Sequence, residues 1–120
     1  MKANSSLPFL KWAGGKRRLL PQLLQLIPVG TRLIEPFVGA GSVFLACNFS
    51  RLLLADNNPQ LISLYQHLQR DPTGVADAVR ALFVEANRTP AAYLSLRERF
   101  NSPDTDPRSR AALFVYINRF

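Results

Sequence analysis

The segment Ile34-Glu35-Pro36-Phe37-Val38-Gly39-Ala40-Gly41 constrains this chain most. An apolar run ends in an acid, a proline-aromatic pair and a Gly-x-Gly turn. Glycine adopts positive φ at little cost and has no Cβ, so a strand ending this way lets its backbone come close to a ligand. The arrangement points to a nucleotide-like cofactor. Glu35 beside the bound molecule would repel a pyrophosphate. A cofactor carrying an ammonium or sulfonium group suits the loop better than a dinucleotide, and S-adenosylmethionine carries both.

Gly-x-Gly alone is a weak signal, and two further segments sharpen it. One is Phe9-Leu10-Lys11-Trp12-Ala13-Gly14-Gly15-Lys16, a glycine-containing loop. The other is Leu52-Leu53-Leu54-Ala55-Asp56-Asn57-Asn58-Pro59, an apolar strand that ends on a carboxylate. In open α/β sheets ligands bind beyond the carboxyl ends of the strands, where an acid on the second strand accepts hydrogen bonds from ribose hydroxyls. Asp56 fits that role.

Two competing motifs fail. Gly14-Gly15-Lys16 lacks the P-loop pattern, because Leu10 stands at its first glycine and Arg17 at its Ser/Thr. A dinucleotide-binding turn would carry a third glycine where Phe44 stands, and its acid about 20 residues on, farther than Asp56 lies from Gly41.

The alternation of strand and helix implies a parallel, doubly wound α/β sheet. Helical spacing of Leu19, Leu20, Leu23, Leu24 and Ile27 predicts a helix from Lys16, stopped by Pro28 and Gly30. Strands are expected over 32–36 and 51–55, with a short helix over 42–48 between them. Asn58 reads as an N-cap with Pro59 at the first helical position. Asp71-Pro72-Thr73-Gly74 reads as a break, followed by helices over 75–85, 91–100 and 108–120 and a polar loop over 101–110. Met1 to Leu7 is a polar leader.

The three quoted segments, in this order and spacing, resemble the opening half of a DNA adenine-N6 methyltransferase of the Dam type. The likeness continues through the Arg97 region to Ala112-Leu113-Phe114-Val115-Tyr116-Ile117-Asn118-Arg119. It implies an incomplete Rossmann-like methyltransferase sheet over 1–57 and the start of a helical DNA-recognition domain over 58–120. It also implies the N-terminal portion of a longer protein. Cofactor-binding residues carried over are Trp12, Lys16, Glu35, Phe37, Gly39, Gly41 and Asp56, with Trp12 as a flat apolar wall and Lys16 pairing with a cofactor carboxylate. Lys11, Arg97 and Arg119 are carried over as DNA contacts. The family's Asp/Asn-Pro-Pro-Tyr/Phe segment, which holds the adenine amine, does not occur in these residues. No catalytic residue is therefore assigned here, and residues 1–120 alone are expected to be inactive. Adenine in GATC is the target the resemblance implies.

The charge agrees with a polyanionic partner. The chain carries +7 in all, and its first 34 residues hold six bases and no acid. Lys and Arg on phosphates release counterions and supply most non-specific DNA affinity. Cys47 is the single cysteine and sits among apolar neighbours, so it reads as a buried, inert thiol. His67 reads as surface or packing, and no metal site is expected. No apolar run reaches the ~20 residues that span a bilayer, and the expectation is a cytoplasmic, nucleoid-associated monomer. The remaining readings are a non-catalytic DNA-binding fragment and a dinucleotide-binding oxidoreductase domain.

Overall fold

A computed structural model describes residues 7–120, so the expected leader, except for Leu7, lies outside the described residues. The described chain is mixed α/β, mostly helical, with one two-stranded parallel sheet. It divides into two compact units, 1–57 and 58–120.

In the first unit a 3-10 turn over Lys16–Leu19 leads into α1 (Leu20–Leu26). Pro21 falls in the first turn of α1, where its missing N–H costs nothing. The strands are β1 (Arg32–Glu35) and β2 (Arg51–Leu54), joined through α2 (Ser42–Ala46). They pair in register, Arg32 with Arg51 and Glu35 with Leu54. Pairing continues beyond the strand ends through Ala55 N–H to the Glu35 carbonyl at 2.8 Å and Val38 N–H to the Ala55 carbonyl at 2.9 Å. These bonds carry the chain from β1 directly into the glycine turn. The strands expose Ile34, Leu52 and Leu53, while Val38, Ala40, Val43, Ala46 and Cys47 are buried. The core of this unit thus lies under the turn and α2, and the sheet keeps apolar surface open.

The second unit is built from α3 (Pro59–Arg70), α4 (Pro72–Arg80), α5 (Pro90–Asn101) and α6 (Pro107–Asn118). α6 packs against each of the other three. Ala111, Ala112, Leu113 and Tyr116 of α6 are buried, as are Leu61 and Leu64 of α3 and Val75 of α4. The Tyr116 ring meets Phe83 edge-on at 4.8 Å, and its hydroxyl donates to the Asn87 carbonyl at 3.1 Å. A buried tyrosine needs such a partner for its polar end.

All four helices start alike. A polar residue caps the first turn and proline follows at the first helical position: Asn58-Pro59, Asp71-Pro72, Thr89-Pro90 and Asp106-Pro107. Each cap accepts at least one backbone N–H that the helix leaves without an internal partner. Two expectations are corrected by this. Asp71-Pro72 opens α4 instead of breaking the chain, and α4 ends at Arg80 instead of reaching residue 85. The loop expected over 101–110 shrinks to 102–106. Arg110 holds that loop from its far end, donating to the Phe100 carbonyl at 3.1 Å and the Ser102 carbonyl at 2.5 Å.

Candidate functional site

The site forms in the first unit, where the turn after β1, the loop before the 3-10 turn and the end of β2 meet. The turn is shaped by Gly39 at φ +51° and Gly41 at φ +79°, and the loop by Gly14 at φ +69°. At Gly39 the absent Cβ also matters for space, since it would lie 3.1 Å from Trp12 Cδ1. The indole therefore rests against the glycine backbone. At Gly41 a Cβ would run into the Phe44 ring. Glycine there is set by both conformation and packing.

Asp56 Oδ2 accepts the Gly39 N–H at 3.0 Å, which ties the end of β2 to the turn after β1. Asp56 lines a cavity of about 210 Å³ together with Trp12, Lys16, Phe37, Gly39 and Ser42. Phe37, at 74% exposure, contributes from the open side. A larger cavity of about 510 Å³ adjoins it and brings in Arg17 and Arg18.

Glu35 is placed differently from its neighbours. It is 6% exposed and is not among the residues lining either cavity. Its Oε1 accepts the Phe44 N–H of α2 at 2.8 Å, and its Oε2 lies 3.8 Å from Lys16 Nζ. Burial pushes its carboxyl above the ordinary glutamate range, and the Lys16 ammonium and the Phe44 N–H pull it partly back. Lys16 also donates to the Phe37 carbonyl. Its ammonium thus already faces a carboxylate and a carbonyl of this chain. Cys47 is buried, and desolvation with the Glu35 charge raises its pKa, as an inert thiol requires.

Lys11 is exposed and lines neither cavity. In the second unit Arg97 lies on the solvent side of α5 and Arg119 just after α6, also exposed. In that unit Arg80 pairs with Asp77, Arg88 with Glu85 and Arg108 with Asp71. His67 Nδ1 lies 2.7 Å from the Ser63 carbonyl of its own helix. Among the described residues no three His, Cys, Asp or Glu side chains gather as metal ligands, and no helix is long and apolar enough to cross a membrane.

Residues 12–120 match the family described as D12 class N6 adenine-specific DNA methyltransferase. The chain belongs to that family. Its relatives include the DNA adenine methylase of Escherichia coli (strain K12), 48% identical over 120 residues, all of this chain and 42% of the relative. The DNA adenine methylase of Vibrio cholerae serotype O1 is 46% identical over 112 residues, covering 93% of this chain and 40% of the relative. That of Haemophilus influenzae is 45% identical over 115 residues, covering 94% and 40%. The chain therefore spans about two fifths of the length of these curated relatives.

The matched region of this D12-class chain takes in Trp12 to Lys16, the glycine turn after β1 and Asp56. Wall residues assigned no cofactor role from sequence include Val38 and Ala40 inside the opening motif, Ser42 at the start of α2, and Arg17 and Arg18 of the 3-10 turn. All five lie within or beside a quoted motif. Their spacing gave no sign of which side chains would face a cavity.

Proposed function

We propose that the 1–57 unit is the cofactor-binding part of an S-adenosylmethionine-dependent DNA adenine-N6 methyltransferase, acting on adenine in GATC. In this reading it forms part of a Rossmann-like sheet, and the 58–120 unit belongs to a helical DNA-recognition domain. The observation that carries the reading is the meeting of Trp12, the Gly39 turn and Asp56 on one cavity.

The donor set suits this cofactor. Asp56 offers a carboxylate to ribose hydroxyls, and Trp12 offers a flat apolar wall. The acid on the cavity wall is Asp56, which suits ribose hydroxyls, while Glu35 is buried and lines neither cavity. S-adenosylmethionine supplies an electrophilic methyl group on sulfonium sulfur. This chain's residues bind and orient. Gly39 and Gly41 hold the turn open for close backbone approach, Phe37 covers the open side, and Lys16 and Glu35 brace the turn from within. Lys11, Arg97 and Arg119 contact DNA. The base amine is held by an Asp-Pro-Pro-Tyr-type segment outside these 120 residues, with adenine extruded from the duplex.

The test is binding and transfer together. In the full-length protein, S-adenosylhomocysteine should give saturable calorimetric binding and NAD none, and tritiated methyl should enter GATC-containing duplex at adenine N6. Residues 1–120 alone should transfer none. Saturable binding of NAD, or turnover by residues 1–120, would overturn the reading.

A further inference from the structure

Of the four helices in the 58–120 unit, α5 has the weakest hold on the core. None of its residues is buried, whereas α3, α4 and α6 each bury at least one. Its apolar contact with α6 includes Phe100 edge-on to Phe114 at 5.7 Å. A cavity of about 150 Å³ opens beside that pair, walled also by Ile117 and Asn118. Side chains facing a void lose dispersion partners on that side. Packing therefore leaves the direction of α5 weakly specified.

Polar contacts at its C-terminal end supply the constraint, because a helix leaves its last carbonyls without internal partners. The Thr105 hydroxyl donates to the Arg99 carbonyl at 2.5 Å. Arg110, half-buried near the start of α6, donates from Nε to the Phe100 carbonyl at 3.1 Å and from Nη2 to the Ser102 carbonyl at 2.5 Å. One guanidinium thus clasps the end of α5 and the loop after it, and its charge complements a helix C-terminus. A rigid fork of donors suits two carbonyls at once, which an ammonium on a flexible stem does not.

Arg97 is exposed and stands one turn before Phe100 on the same helix. Its own carbonyl accepts from the Asn101 side chain at 3.1 Å. Where its guanidinium can reach follows from how this end of α5 is held. We infer that Arg110 is a positioning residue, whose clasp on the Phe100 and Ser102 carbonyls sets α5 so that Arg97 meets a DNA phosphate. Arg110 itself, engaged inside the unit, takes none. The inference rests on the proposed role of Arg97 as a DNA contact and deepens it.

A double-mutant cycle in the full-length protein tests it, read as dissociation constants for a GATC-containing duplex over a series of salt concentrations. Arg97→Ala should weaken binding severalfold and lower the salt slope by roughly one phosphate contact. Arg110→Gln should do the same, and Arg110→Lys should recover little, since it keeps the charge and loses the fork. With Arg97→Ala and Arg110→Gln combined, the loss should stay within about twofold of the larger single loss, because coupled sites are not additive. Calorimetric affinity for S-adenosylhomocysteine should be that of wild type in both Arg110 variants. Losses that multiply, or full recovery in Arg110→Lys, overturn the inference, because Arg110 then acts on DNA by its own charge. Unchanged duplex binding in Arg110→Gln overturns it, as does a parallel loss of S-adenosylhomocysteine affinity, which marks general damage to the fold. Wild-type affinity and salt slope in Arg97→Ala overturn the DNA role of Arg97 itself, and this inference with it.

Discussion

Glu35 Oε1 accepts the Phe44 N–H at 2.8 Å, so the last residue of β1 fixes the first turn of α2 across the glycine turn between them. The same carboxylate holds Lys16, which reaches the Phe37 carbonyl. One buried acid thus joins both glycine loops. The wall of the cavity depends on a side chain that does not line it.

Glu35→Gln keeps an acceptor for Phe44 and removes the charge. The folded-state pKa of Glu35 is raised, so the folded protein binds this proton more tightly than the unfolded chain does. Its effect on stability is most favourable below the ordinary glutamate value of about 4.3 and declines as pH rises from there through the raised folded value. Urea denaturation across pH 4 to 7 should show that decline in wild type and a flatter profile in the variant. A steeper fall in the variant would refute the assignment. Glu35→Ala leaves the Phe44 N–H without its acceptor and should cost about 1 to 3 kcal/mol at any pH.

Asp56→Ala in the full-length protein should lower S-adenosylhomocysteine affinity roughly 100-fold or more, since two charge-assisted bonds contribute about 1.5 to 3 kcal/mol each. Calorimetry within threefold of wild type would remove Asp56 from the site. Asp56→Asn keeps an acceptor for Gly39 and should retain more of the fold than of the affinity.

Gly41→Ala sets a methyl group against the Phe44 ring and puts a non-glycine residue at φ +79°. The backbone conformation alone should cost about 1 to 3 kcal/mol. Gly39→Ala instead pushes on Trp12, the only tryptophan of the chain. Its fluorescence maximum should shift in the Gly39 variant. An unshifted spectrum would show that the indole does not rest on the turn.

Arg97→Ala and Arg119→Ala should each weaken DNA binding about equally across sequences and reduce the slope of log K against log salt by roughly one phosphate contact. Arg108→Ala serves as the comparison, because Arg108 faces Asp71 within its own unit. A salt slope that falls only for Arg108 would reassign the contacts.

Local features carried much of the first unit. The positive-φ glycines, the two short strands and the acid after β2 are dictated by residues a few positions apart, and they are where the spacing put them. Helix starts in the second unit are equally local, as at Asn58-Pro59. Asp71-Pro72 and Asp106-Pro107 carry the same cap-and-proline chemistry: proline in a polar run looks like a breaker, but its fixed φ suits the first helical position.

Residue identity and short spacing suffice for the family and the glycine turns, because motif chemistry acts over a few positions. Which charges meet is not contained in those motifs. Glu35 and Lys16 stand 3.8 Å apart although 19 positions separate them, and Arg110 secures a loop that its polar composition would leave open. Burial and through-space pairing depend on how elements pack. Nothing in the local pattern encodes them, so two acids both expected at the cofactor come to differ: Asp56 lines the cavity and Glu35 is buried off its walls.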